Sequence, residues 1–293
     1  MSPTSAPTVE ELWLRAPDQT ALSVRRVRPV GTPRARLAWV HGLAEHGGRY
    51  LPTLEWFAAR GFDCAVLDLR GHGRSGGRRV FVRRFSDYLD DVETFLGWAG
   101  RELGAAELPL FLLGHSMGGL VVARTLQDRL PRLPALRGAV LLSPFFEEKV
   151  VLPLWKVKAA YALSRALPWV GLPIELDVAQ LSQDRAVGAA YLADPLVSTK
   201  ATARWYTEIT QARALGLTEA HTLRLPALVF HGTEDGLVAV EGSQAFHRAL
   251  GSQDKQLRLW DGLRHELLNE VEKESVREQL LEWLEARLTP GAG

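Results

Sequence analysis

A single cysteine, Cys64, stands in 293 residues, inside the apolar run Cys64-Ala65-Val66-Leu67. No disulfide can form within the chain, and a thiol in a buried-strand pattern packs rather than reacts. Excess charge is missing too. The 35 basic and 34 acidic residues leave a formal net charge of +1, with no global pull toward nucleic acid or an acidic partner. No stretch approaches the ~18 uninterrupted apolar residues of a membrane-spanning helix. Residues 1–18 lack the basic region and apolar core of a secretory signal. Internal repeats are absent. A soluble, cytoplasmic, globular protein is the expectation, and a 46% hydrophobic share is enough for a large core.

What is present is a rhythm of short apolar runs alternating with helical spacing. Residues 21–27 alternate, which predicts a strand with one solvated face. Leu37-Ala38-Trp39-Val40 runs into His41-Gly42, and residues 50–60 carry helical spacing that stops at Gly61. Ala65-Val66-Leu67 ends in Asp68; 85–103 predicts a long amphipathic helix started by Ser86 or Asp87. Apolar strands follow at 110–113 and 138–142. After Pro144 no strand-like run appears until Ala227-Leu228-Val229-Phe230, and helical segments punctuated by Pro153, Pro168, Pro173 and Pro195 fill the gap. A helix near 241–250, a strand at 256–260 and a helix over 267–288 complete the chain. This order predicts an α/β fold, a mostly parallel central sheet with helices on both faces. The predicted organisation is a flexible segment at 1–18, a core at 19–144 and 226–293, and a helical cap inserted at 145–225.

The chemistry gathers at strand ends. Gly114-His115-Ser116-Met117-Gly118 follows the apolar run 110–113 and precedes a helix-compatible stretch. Strand, tight turn and helix are the setting in which G-x-S-x-G forms a nucleophile elbow. An ordinary glycine-rich turn would carry the same letters, so the rest of the chain must decide. A serine hydroxyl needs a base to take its proton, and the base needs a carboxylate to orient it. In this architecture they follow in the order serine, acid, histidine. His231-Gly232-Thr233-Glu234-Asp235-Gly236 follows the resumed strand, which makes Asp235 the candidate acid and Glu234 its competitor. Beyond it lie His247, within a helical run, and His265, again just past a strand; His265 is the better base. His115 should point aside and pack. The N–H groups of Met117 and of Leu43, in the loop His41-Gly42-Leu43-Ala44-Glu45-His46-Gly47-Gly48, are the candidate oxyanion donors. That loop has neither the P-loop lysine spacing nor G-x-G-x-x-G, which argues against a phosphate cradle.

The donor loop with Arg49-Tyr50, the segment Asp68-Leu69-Arg70-Gly71-His72-Gly73-Arg74-Ser75-Gly76, the elbow, Asp194-Pro195-Leu196-Val197 and Gly262-Leu263-Arg264-His265-Glu266 together resemble the monoacylglycerol lipase/lysophospholipase family of α/β-hydrolases. The resemblance runs from about residue 20 to the last helix. It implies a serine hydrolase with no cofactor and no metal, acting on monoacylglycerols or related single-chain lipid esters. It also implies that Ser116, Asp235 and His265 are the triad and that Leu43 and Met117 form the oxyanion hole. Ala44 departs from the family, which often has a second glycine there. The alternatives are a lysophospholipase or broad carboxylesterase of the same fold and, more remotely, a non-catalytic binding module. In the cap, 154–167 is apolar almost all round, with a stripe of Lys158 and Arg165 beside Tyr161. As a lid helix it would offer a wall to an acyl chain or a face to a membrane; packing on the body is the competing reading. Arg70, Arg74, Arg78, Arg79, Arg83 and Arg84 either attract anionic lipid or pair with local carboxylates. The expected partners are a lipid ester substrate and, transiently, a membrane surface, which would make the protein peripheral there; nucleic acid is not among them. Oligomeric state is not legible in the sequence.

Overall fold

The computed structural model describes residues 7–150 and 152–288. The chain opens with an antiparallel pair, β1 (Thr8–Arg15) and β2 (Ala21–Arg28), then β3 (Ala35–Val40), α1 (Leu51–Ala58), β4 (Phe62–Leu67) and α2 (Ser86–Glu102). The elbow joins β5 (Leu110–His115) to α3 (Met117–Arg129), and β6 (Gly138–Leu142) follows. A long excursion then carries α4 (Leu154–Ala166), β7 (Gly171–Pro173), α5 (Arg185–Ala193), β8 (Lys200–Thr202) and α6 (Ala203–Thr218). The chain returns to the sheet with β9 (Ala227–Gly232), α7 (Val240–Ala249), β10 (Lys255–Trp260) and α8 (Lys273–Glu285).

The eight-stranded sheet has the order β1-β2-β4-β3-β5-β6-β9-β10. From β4 to β10 every pairing is parallel, and β2 meets β4 antiparallel. Side chains alternate across each strand, so the two faces build separate cores. Ala38, Val40 and Leu112 point with Leu120, Tyr88 and Phe95 to one side; Leu37, Trp39 and Phe111 point with Phe57, Leu280 and Trp283 to the other. Helices cover both faces, as the alternating pattern predicts.

Four local expectations are corrected. Residues 8–15, expected loose within the flexible 1–18 segment, form β1, paired along its whole length with β2; residues 1–6 lie outside the described part. The second strand has no wet face. Arg25 and Arg26 are buried because Arg25 pairs with Asp68 (3.2 Å) and Arg26 grips Asp63 with two bonds (2.9 and 2.5 Å). Within 145–225 the three-residue strands β7 and β8 pair antiparallel. The last predicted helix is broken, with a short 3-10 turn at Leu267–Asn269 preceding α8. At the break the buried Glu270 carboxylate accepts from the amides of Gln183 and Arg264 and from the Ser182 hydroxyl. These bonds anchor the turn to the excursion instead of letting the helix run through.

The arginine-rich stretch divides. Arg70 is buried against Asp91 and Asp18, and Arg74 pairs with Glu11. Arg78, Arg79, Arg83 and Arg84 are exposed and make no ion pair among the described residues. They lie beside the excursion: Arg78 reaches the carbonyl of Trp169 (3.5 Å), and the Arg83 carbonyl accepts from Arg204 of α6 (2.9 Å). Helix α4 buries only Ser164, whose hydroxyl meets Thr207 of α6. Leu154 and Trp155 are more than two-thirds exposed, at 69% and 68%.

Candidate active site

Ser116 sits between β5 and α3 with φ 54° and ψ −120°, a left-handed conformation costly for a residue with a side chain. Its surroundings hold it there. Its amide donates to the Leu142 carbonyl (2.9 Å), and its own carbonyl accepts from Phe145 (3.0 Å) and Leu120 (3.2 Å). The turn closes only because two flanking positions lack side chains. A Cβ at Gly114 would lie 2.4 Å from the Gly118 carbonyl oxygen, and one at Gly118 would lie 2.3 Å from the carbonyl oxygens of Val40 and His41. Met117 is the first residue of α3, so its amide has no acceptor within the helix. Its side chain packs in the core, where the Trp205 indole N–H donates to its sulfur (3.3 Å).

Asp235 follows β9 and is buried at 2% exposure. Its Oδ1 accepts from the amides of Leu237 and Val238, both at 2.9 Å, and its Oδ2 lies 2.7 Å from His265 Nδ1. Burial works against ionising this carboxyl, but the charge of His265 and the hydrogen bonds from His231 and His265 hold it far below the usual carboxylate range. Glu234 points outward and is exposed. His265 follows β10, as its sequence position predicts, while His247 remains on α7 beside Lys255 and Trp283, away from the elbow.

Ser116, His265 and Leu43 line one cavity of about 160 Å³. Phe145, Ile174, Leu176 and Leu181 supply an apolar wall, and Glu45, Tyr191 and Glu266 a polar end. The excursion supplies Ile174, Leu176, Leu181 and Tyr191, so it roofs the nucleophile. Two bonds tie it to the donor loop: His46 Nε2 to Asp194 (2.7 Å), and the Ser198 amide to the Ala44 carbonyl (2.8 Å). Ala44 holds φ 61°, the left-handed conformation that a glycine would adopt without strain. The loop keeps its shape in spite of the methyl group.

Beneath this loop lies a polar network that the sequence reading missed. Glu45 Oε1 accepts from the Gly42 amide (2.6 Å) and the Tyr50 hydroxyl (2.7 Å), while Arg49 joins Glu45 (2.5 Å) to Glu266 (2.7 and 2.9 Å). Burial opposes the charge on Glu45, but Arg49 and then His115 keep it well below the ordinary value. His115, expected to pack, instead lines the cavity. Its Nε2 donates to the His265 carbonyl (3.2 Å), and its Nδ1 lies 2.9 Å from the Tyr50 oxygen. Burial disfavours its cation, yet the bond and charge of Glu45 raise its pKa above the usual value. In the cationic form both ring nitrogens donate, which leaves the Tyr50 proton free for Glu45. The motif letters at 45–50 were the available signal. Among the described residues no group of three or more His, Cys, Asp or Glu is placed to hold a metal ion, and no helix is long and apolar enough to cross a membrane.

The family model described as "Serine aminopeptidase, S33" (Hydrolase_4) matches residues 31–272. The chain is 37% identical over 268 residues to a monoacylglycerol lipase of Mycolicibacterium smegmatis, covering 89% of this chain and 91% of that one. It is 32% identical over 246 residues to phospholipase YtpA of Bacillus subtilis, covering 83% and 92%. Its fold superposes on the crystal structure of Paleococcus ferrophilus monoacylglycerol lipase with a TM-score of 0.81 at 29% identity, covering 91% and 99%.

Proposed function

The chain belongs to the Hydrolase_4 family and has the α/β-hydrolase fold, and from that premise we propose that it hydrolyses monoacylglycerols to glycerol and fatty acid through an acyl-enzyme on Ser116. The observation that carries the reading is the 2.7 Å Asp235–His265 bond beside a strained serine in the same cavity. Ser116 Oγ attacks the ester carbonyl as His265 Nε2 takes its proton. The oxyanion is held by the N–H groups of Leu43 and Met117, and each such donor is worth ~3 kcal/mol in related chemistry. Asp235 holds the ring through Nδ1–H and steadies the imidazolium. The C–O bond breaks, His265 returns the proton to the departing glycerol oxygen, and water repeats the sequence to release the fatty acid.

The acceptors at the polar end favour glycerol over a phosphate headgroup. Glu45 and Glu266 face the cavity, and Arg49 answers both. Carboxylate oxygens there accept hydrogen bonds from glycerol hydroxyls, bonds that an ionised phosphate cannot donate. The 145–225 segment acts as a lid. Leu154, Trp155, Tyr161 and Trp169 form its outward apolar face, and Arg78, Arg79, Arg83 and Arg84 beside it, without an ion pair among the described residues, draw that face to an anionic bilayer.

The test compares purified wild type with Ser116→Ala on monoolein and on a lysophospholipid. Wild type should prefer monoolein, and Ser116→Ala should lose activity by ~10⁴-fold or more. Turnover of monoolein by the Ser116→Ala protein refutes the mechanism. Faster cleavage of the lysophospholipid by wild type transfers the proposal to the lysophospholipase alternative.

A further inference from the structure

The carboxylate beside His265 carries a hydrogen bond that the reaction as written does not use. His231, in β9, is fully buried, and its Nε2 lies 3.2 Å from Asp235 Oδ2 and 3.3 Å from the Val238 carbonyl oxygen. Its Nδ1 lies 2.7 Å from the Ser243 hydroxyl of α7. Both atoms facing Nε2 only accept, so Nε2 carries the proton. In the neutral ring Nδ1 is then a bare acceptor, and Ser243 donates to it. The surroundings therefore choose the tautomer. Oδ2 is the same oxygen that faces His265 Nδ1 at 2.7 Å, while Oδ1 is occupied by two backbone amides. Two imidazoles thus donate to one carboxylate oxygen.

We propose that His231 is a positioning residue for this hydrolysis, a second imidazole held by Ser243 that fixes the Asp235 carboxylate and moderates its pull on His265. The inference rests on the triad reading above. A base must take a proton from Ser116 and then give it up. A carboxylate that attracts the imidazolium too strongly leaves the ring protonated and idle near neutral pH. A second N–H donor on Oδ2 disperses that charge and lowers the attraction. It also makes the carboxylate rigid, with every bond in the chain Ser243–His231–Asp235–His265 satisfied.

Other charged groups act on His265 from different directions. The His115 ring lies 4.7 Å from its ring, centroid to centroid, and bonds its carbonyl; Glu45 and Arg49 act through His115, and Glu266 follows it in sequence. None of these bonds to Asp235 among the described residues, so removing His231 isolates one effect.

The experiment measures kcat and KM against pH for wild type, His231→Leu and His231→Gln on a soluble nitrophenyl ester. Leucine removes the donor, so the acid limb of kcat/KM should move up by about half a pH unit or more, with kcat at neutral pH lowered and KM little changed. The glutamine amide can donate to the same oxygen and should return the limb to the wild-type position. A folded His231→Leu protein with an unmoved acid limb overturns the proposal, because a merely structural histidine would lower stability without shifting it. Nitrogen NMR of wild type supplies a second test that does not depend on the variants folding. The Nε2–H tautomer of His231 is expected, and the Nδ1–H tautomer overturns the proposal. Activity surviving in Ser116→Ala would instead bring down the triad reading itself, so the two failures are distinguishable.

Discussion

Lowering the pH should destabilise this protein through two histidines that the reaction does not use. His72 is buried against His41, ring centroids 5.1 Å apart, and against Tyr88 at 6.2 Å. Its Nδ1–H donates to the Arg70 carbonyl (3.0 Å), and its Nε2 has no partner among the described residues. A proton added at Nε2 would be a buried, unpaired charge, so burial and then His41 push its pKa down to about 3. The sign follows from linkage. Above the unfolded value of ~6.5 neither state binds the proton; below it the unfolded chain does and the folded one does not, so stability falls until the folded value is reached. Between pH 7 and pH 5 this single residue costs about 2 kcal/mol. His41 acts in the same direction: its Nδ1–H donates to the Gly42 carbonyl and its Nε2 accepts from the Leu69 amide, so protonation would break that bond. His115, with a raised pKa, contributes stability that is present below the unfolded value and lost as pH rises. Urea unfolding of wild type and His72→Leu at pH 7 and pH 5 isolates the His72 contribution. The stability lost between the two should be about 2 kcal/mol smaller in the variant. Equal losses would refute the reasoning.

Gly118→Ala should prevent folding or cost ~3 kcal/mol or more, since its Cβ would fall 2.3 Å from two carbonyl oxygens; an unchanged melting temperature shows that the turn is built otherwise. Binding to vesicles should be stronger on phosphatidylglycerol than on phosphatidylcholine. It should weaken in Trp155→Glu, and replacing Arg78, Arg79, Arg83 and Arg84 by glutamine should remove about 1 kcal/mol per charge. Equal sedimentation with both lipids defeats the proposal of an anionic docking face.

The placement of the elbow, Asp235 and His265 past strand ends was legible because the strands can be read locally, from continuous apolar runs at 110–113 and 227–230 and an alternating one at 256–260. The architecture was legible for the same reason. What escaped depends on distant partners. Nothing local in β2 announces that Arg25 and Arg26 are buried; Asp68 and Asp63, from another strand and its end, neutralise them. The β1 segment mixes Val9, Glu11, Trp13 and Arg15 on its exposed positions, which hides the alternation that edge pairing would otherwise show. Strands of three residues, such as β7 and β8, are too short for any period. His231 stands beside a motif with no role legible there, and His115 reads as a packing residue; their roles come from Ser243, Glu45 and Tyr50, positions that only folding brings to them.

The long excursion leaves the sheet after β6 and returns at β9, and these two strands are hydrogen-bonded neighbours, Ala139 opposite Ala227. Its two ends are therefore held side by side by the sheet, whatever the intervening length. Changes in the length of its middle therefore need not alter the strand register, whereas its bonds to the elbow, the base loop and the donor loop must persist: Phe145 to the Ser116 carbonyl, Trp205 to Met117, the carbonyls of Gln180 and Leu181 to the amides of His265 and Glu266, and Asp194 and Ser198 to His46 and Ala44. Variation can thus enter between those fixed points without separating the strand ends that the sheet holds together.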